Sequence, residues 1–246
     1  MEKLYGRWFS FLPGVKRFLL ETVFPEKAVC RACGKISGGG VLCRECESRL
    51  TADGTVFAWD REELEPGLDA YSLRPHAGVA RQLVLRLKHN AEKCAAEELG
   101  KLLEPVPEHI RFEPETVVTW VPMPESRRME RCIDHGKELA ETAAKVLGLP
   151  CRKLLGRAET REKTQASLNR VERERNLEKA FYPEGEIRFP VLLVDDVLTT
   201  GTTARRCAEA LRAGGAEKVT VLAYTRAMMD GGLLFSGGGP GEKGRE

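Results

Sequence analysis

The stretch Val191-Leu192-Leu193-Val194-Asp195-Asp196-Val197-Leu198-Thr199-Thr200-Gly201-Thr202-Thr203 decides how this chain is read. Four consecutive aliphatic residues predict a strand buried on both faces, as in a parallel sheet covered by helices. Two adjacent carboxylates follow, then a Thr/Gly turn. Beyond it Ala204, Cys207, Ala208 and Leu211 recur at i, i+3, i+4 and i+7, which predicts a helix with one apolar stripe. A helix N-terminus offers unpaired N–H groups and the positive end of the dipole, so it suits a phosphate. Thr199, Thr200, Thr202 and Thr203 add hydroxyl donors, and Gly201 allows close approach of the backbone to an anion. Asp195 and Asp196 stand one sugar-length away, as acceptors for ribose hydroxyls or for a hydrated cation. The bland alternative is a buried strand ending in a capped turn with solvated acids, but four Thr and a Gly beside two Asp exceed what capping needs.

Strand, acid pair, Thr-Thr-Gly-Thr-Thr turn and helix occur in the order of the signature of type I phosphoribosyltransferases, and the chain resembles that class. The resemblance implies a parallel-sheet, Rossmann-like α/β domain that binds 5-phosphoribosyl 1-diphosphate (PRPP) together with Mg²⁺. The turn is not a P-loop, because it lacks the Lys that reaches the terminal phosphates.

With 246 residues the chain can hold one substantial core and a small appendage. The formal net charge of +2 says little, but its distribution says more. Residues 1–50 and residues 152–179 each carry nine Lys/Arg against five Asp/Glu, whereas residues 51–70 carry six acids and one base. Two basic blocks around an acidic connector permit nucleic-acid or polyphosphate binding, and equally suit solvated faces. The apolar N-terminal run around Trp8, Phe9, Phe11 and Leu12 is broken by Arg7, Lys16 and Arg17. It therefore reads as an amphipathic helix packed on the protein, with neither a membrane span nor a signal-peptide core. A cytoplasmic location, where thiols stay reduced, is the matching expectation.

Eight cysteines divide into two groups. Cys30-x-x-Cys33 and Cys43-x-x-Cys46 form two pairs at short separation, the spacing of a closed tetrahedral zinc site. Redox disulfides compete with zinc, but a thioredoxin-type site uses one such pair after a strand. Gly34 suits the knuckle turn, and Gly38-Gly39-Gly40 the turn between the pairs. A region this small lacks a core of its own, so a metal there is structural. Cys94, Cys132, Cys151 and Cys207 read as inert packing.

Along the chain, residues 1–50 read as an N-terminal helix and zinc ribbon, 51–67 as an acidic connector, 68–230 as the α/β domain and 231–246 as a disordered Gly-rich tail. Strands are predicted at Ala70–Leu73, Thr116–Val121, 151–155, the motif itself and Lys218–Tyr224, and helices at 76–88, 91–103 and 134–147. Alternating strands and helices argue for a parallel sheet. In such sheets ligands sit at the carboxyl ends of the strands, which singles out two further loops. One follows Val121-Pro122-Met123-Pro124 and carries Arg127, Arg128 and Arg131, suited to paired phosphate oxygens. The other, 156–178, carries Arg157, Arg161, Lys163 and Gln165 and is long enough for a lid. Either loop also reads as a solvated turn.

The Cys knuckles, the helix containing Leu85-Arg86-Leu87-Lys88, Val121-Pro122-Met123-Pro124, Lys163-Thr164-Gln165-Ala166-Ser167-Leu168-Asn169-Arg170 and the acid-pair motif occur in one order. That arrangement, from about residue 22 to 226, resembles the competence protein F family of amidophosphoribosyltransferase-like proteins. One segment departs: where the family has Arg-Gly-Phe-Asn-Gln, this chain has Arg131-Cys132-Ile133-Asp134-His135, and only the Arg survives. The resemblance implies PRPP bound by Asp195, Asp196, Thr199–Thr203, Lys163 and Arg127. It also implies contact with single-stranded DNA and the DNA-uptake machinery in natural transformation. A phosphoribosyl transfer to a nitrogen nucleophile is the competing expectation. There Asp195, Asp196 and Arg131 would be catalytic and Mg²⁺ would stabilise the departing diphosphate.

Overall fold

A computed structural model describes residues 29–51, 60–131, 133–158 and 180–227. Residues 159–179 of the basic loop with Lys163, Cys132, the aromatics near the N-terminus and the tail lie outside the described residues, whereas Arg157 at the start of that loop is within them.

The core is a five-stranded sheet of β1 (Asp60–Glu65), β2 (Leu68–Pro75), β3 (Val117–Trp120), β6 (Val191–Leu198) and β7 (Val219–Arg226), in the order β1-β2-β7-β6-β3. All neighbours are parallel except the β1–β2 hairpin. The aliphatic run of the motif is β6. Leu193 pairs with Val221 of β7 and Thr119 of β3, so β6 is central and both its faces are covered. Helices α2 (Gly78–Asn90), α3 (Lys93–Gly100) and α6 (His135–Leu147) cover one face. Leu83, Leu87, Leu99, Leu103 and Leu139 meet Leu192, Val194, Leu222 and Tyr224 there. Helix α7 (Thr202–Ala213) and the hairpin of β4 (Leu155–Arg157) and β5 (Phe181–Pro183) cover the other. On that face Cys207, Ala208 and Leu211 pack on Val191, Leu193, Val221 and Ala223. The chain is thus a doubly wound, mostly parallel α/β sheet with a four-cysteine element at its N-terminal side. A short α4 (Val106–His109) and α5 (Glu125–Glu130) complete the helices of the central region.

Asp60–Glu65, read above as the end of an acidic connector, is an edge strand in the structure. Its sequence Asp-Arg-Glu-Glu-Leu-Glu has no apolar alternation to betray a strand. Charge on an edge strand blocks pairing with another molecule, and a register shift between Glu63 and Glu65 breaks the ladder further.

The four-cysteine element docks on α2 and α3. Its first pair sits in a turn closed by Gly34 N–H donating to Cys30 C=O (2.9 Å), with Gly34 at φ +76°. The second pair opens α1 (Arg44–Thr51), whose Leu50 is buried against the α2 layer. Buried Arg74 donates to the last carbonyls of α1, Leu50 O (3.2 Å) and Thr51 O (3.3 Å). Glu92, in the turn between α2 and α3, pairs with Arg31 and Arg86 and fixes the element to the domain.

Candidate functional site at the carboxyl edge of the sheet

Strand β6 delivers Asp195 and Asp196 to the carboxyl edge, where a doubly wound sheet takes its ligands. Because successive residues of a strand point to opposite faces, the two acids diverge. Asp196 is in phase with Leu192 and Val194 and faces the α2/α6 layer, whereas Asp195 is in phase with Val191 and Leu193 and faces α7.

Asp196 is 8 % exposed and closely partnered. Its Oδ2 takes Lys88 Nζ of α2 at 2.8 Å and His135 Nε2 of α6 at 2.9 Å. Its main-chain carbonyl accepts the Thr225 hydroxyl (2.9 Å), and Thr225 Oγ1 lies 2.9 Å from His76 Nδ1. Burial opposes ionisation of Asp196, but the His135 hydrogen bond and the Lys88 charge outweigh it and hold the carboxyl down at about 2. Asp195 has the reverse balance. Burial first, and then the neighbouring Asp196 charge, push its carboxyl up to about 8, against the Asp196 N–H that it accepts at 2.8 Å. Burial, followed by the charges of Lys88 and Arg81, lowers His76.

The turn beyond the acids is built for close approach. Gly201 has φ +74°, is buried and stands at the N-cap of α7 with no side-chain cap. Thr199, Thr200 and Thr203 are exposed, and the Thr200 and Thr202 hydroxyls lie 3.0 Å apart. The hydroxyls and the first N–H groups of α7 therefore gather at one end of the helix, a few residues past the acids. The β1–β2 hairpin backs this turn: Arg205 Nε donates to Leu64 O (3.1 Å), Arg212 pairs with Glu65 and Arg226 with Glu62.

Of the loop after β3, Arg127 lies exposed on α5 and Arg131 is half-buried just after it. Neither has an ion-pair partner among the described residues. Asp134 and His135, the last two residues of the departed segment, start α6. Asp134 caps α6 by accepting Lys137 N–H (3.1 Å), and its other oxygen accepts Trp120 Nε1 (3.3 Å). A Cβ on Gly136 would come within 3.2 Å of Val121 O, so α6 begins tight against the end of β3 and places His135 at Asp196. His76, Thr225 and His135 carry no motif of their own; only the position of His135 inside the departed segment marked it.

The sulfur atoms of Cys30, Cys33, Cys43 and Cys46 all lie within 4.8 Å of one another. Cys33 Sγ and Cys43 Sγ are 3.8 Å apart, far beyond a disulfide bond. A zinc tetrahedron with bonds of about 2.3 Å has sulfur–sulfur edges of about 3.8 Å. The donor set fits zinc, and Cys30, Cys43 and Cys46 are buried as a structural site requires.

No protein-family model matches this chain, and no curated protein matches it. Among solved structures it is similar to the glutamine PRPP amidotransferase from B. subtilis complexed with ADP and GMP, at 21 % identity and a TM-score of 0.40 over 57 % of this chain. It spans 30 % of that protein's length. It is also similar to orotate phosphoribosyltransferase from Aeropyrum pernix (21 % identity, TM-score 0.35, 73 % of this chain and 80 % of that one). A third similar structure is adenine phosphoribosyltransferase from Leishmania tarentolae (15 % identity, TM-score 0.36, 68 % and 94 %). Among the described residues, no helix is long and apolar enough to cross a membrane.

Proposed function

We propose that this protein binds PRPP at the carboxyl edge of its sheet. The observation that carries this reading is the positive-φ Gly201 opening an uncapped α7 directly after a strand that ends in two carboxylates. The N–H groups of that helix start and the Thr hydroxyls take the 5-phosphate, while the carboxylate-bearing end of β6 meets the ribose hydroxyls. Arg127 and Arg131 flank the same edge and suit the diphosphate, with Lys163 and a Mg²⁺ ion as further partners. Mg²⁺, when bound, neutralises diphosphate charge. A zinc ion in the four-cysteine site is structural. Calorimetric titration with PRPP, with and without Mg²⁺, tests the reading: saturable one-site binding is expected, and heat no larger than that of dilution into buffer overturns it. Pyrophosphate release across candidate amines and bases then separates a transferase from a binding protein.

A second reading, contact with single-stranded DNA of the kind a competence protein makes, is favoured by one feature. A cleft of about 590 Å³ lies between the cysteine element and the start of α2, lined by Arg49, Arg74 and Arg81 with no carboxylate among its described lining residues. Binding through phosphates would weaken steeply with salt and depend little on base sequence. An anisotropy titration with a single-stranded oligomer at low salt tests it, and a flat curve at micromolar protein overturns it.

A further inference from the structure

We propose that the two motif carboxylates have separate roles: Asp196 is a positioning residue, locked to Lys88 and His135, and Asp195 is the carboxylate that meets the ribose. The proposal rests on the phosphoribosyl reading above and assigns its two acids different jobs.

The divergence of the side chains is the first ground, since one acid lies on the α2/α6 face and the other on the α7 face. The second is how fully Asp196 is engaged. Two cationic or proton-donating groups from two different helices converge on one carboxylate oxygen, at 2.8 and 2.9 Å, and its carbonyl holds Thr225. Lys88 is itself largely buried, with 21 % of its side chain exposed, as is His135 with 13 %. A ligand that pulled Asp196 away would strand both, and breaking a buried pair on one side is strongly destabilising. His135 Nδ1 is already buried without a partner among the described residues, so the ring's one hydrogen bond there is the one from Nε2 to Asp196.

Asp195 differs on each point. It accepts the adjacent Asp196 N–H, and among the described residues no cation lies within ion-pair distance of it. It sits on the side of α7, whose N-terminal turn is the phosphate end of the proposed site. An unpaired carboxylate beside a second one costs the fold stability. Retaining a destabilising group at a strand end is expected where a ligand needs it.

The clamp also accounts for the departed segment. Asp134 caps α6 and holds Trp120, Gly136 lets the helix start approach β3, and His135 is thereby delivered to Asp196. Through Asp134 and His135 the segment therefore positions β6, and Arg131 at its start is the one member left for the diphosphate.

The test uses the full zinc-loaded chain and four single variants, Asp195→Asn, Asp196→Asn, Lys88→Met and His135→Gln, with Lys88→Arg as a rescue. Asp195→Asn should keep or raise the melting temperature and weaken PRPP binding about tenfold or more, the loss expected for hydrogen bonds to a charged group. Asp196→Asn, Lys88→Met and His135→Gln should each lower the melting temperature by about 5 °C or more. Lys88→Arg should recover most of that loss. The nitrogen-15 signal of His135 Nε2–H should move in Asp196→Asn and stay in place in Asp195→Asn, a readout independent of PRPP. Binding of PRPP by folded Asp196→Asn as poorly as by Asp195→Asn, with an unchanged melting temperature, overturns the division of roles. A parent chain that binds no PRPP overturns the phosphoribosyl reading and Asp195's part with it, while the His135 signal still decides the clamp.

Discussion

Leu64 of the edge strand lies over Gly201, so close that a Cβ on the glycine would sit 2.6 Å from Leu64 Cδ2. The hairpin β1–β2, which looks like a connector in sequence, thus forms the back wall of the Thr/Gly turn. Two demands meet at Gly201: a left-handed backbone, and no side chain beneath a buried leucine.

Gly201→Ala should therefore lose about 1–2 kcal/mol of stability from the left-handed conformation alone, and somewhat more from displacing Leu64. Urea denaturation measures it. Pairing the change with Leu64→Ala should return part of the contact cost but none of the backbone cost, so the double variant should be less destabilised than the sum of the singles.

The acid pair gives a pH signature. Asp195 is raised on folding from its ordinary 3.8 to about 8. Its contribution to stability is complete below about 4, where both folded and unfolded forms are protonated, and is lost as pH climbs toward 8. Asp196 is lowered to about 2, so its contribution is present above about 4 and disappears only as pH falls through 2. Asp195→Asn should consequently gain stability over the parent progressively between about pH 4 and pH 8. Asp196→Asn should be less stable than the parent throughout that window, with the deficit shrinking only below about pH 4. Comparing each variant with the parent at every pH cancels the titration of the cysteines. A parent–variant difference for Asp195→Asn that stays constant across the window would refute the assignment.

Much of this was legible in the sequence because it depends on local pattern. Val191–Val194 could only be a doubly covered strand, the Thr/Gly turn and its helix follow at fixed spacing, and the four cysteines announce their cluster. What was illegible depends on long-range register. Nothing near Asp196 in sequence marks Lys88, His135 or Thr225 as its partners; helix starts and strand order bring them together. The opposite facing of Asp195 and Asp196 follows from strand alternation alone and needs no long-range contact. Strand β1 was hidden because a charged edge strand carries no apolar period.

The metal prediction concerns more than the knuckles. Cys30, Cys43, Cys46, Leu42 and Leu50 share one apolar cluster with Leu83 and Leu87 of α2. Removing zinc, by chelation under reducing conditions or by Cys43→Ser, should expose that surface and lower the stability of the α2 layer as well as of the N-terminal element. Hydrogen exchange should show α2 amides losing protection while β6 and β7 keep theirs. Purified protein with far less than one zinc per chain, under reducing conditions and without chelator, would contradict the assignment.

Asp134 offers a separable test of the departed segment. Both of its oxygens are engaged, one with the helix N–H of Lys137 and one with the indole N–H of Trp120. An Asn at this place can still cap the helix through its one carbonyl oxygen, but its amide nitrogen cannot accept the indole proton. Stability should therefore fall in the order parent, Asp134→Asn, Asp134→Ala, with the alanine losing about 1–2 kcal/mol for the cap. Because α6 carries His135 on its first turn, fraying there should also weaken the contact with Asp196. The His135 nitrogen-15 signal should shift in Asp134→Ala and change little in Asp134→Asn. Equal stability of the two variants would show that the cap carries no weight; an unshifted His135 signal in the alanine variant would show that the cap does not position the histidine.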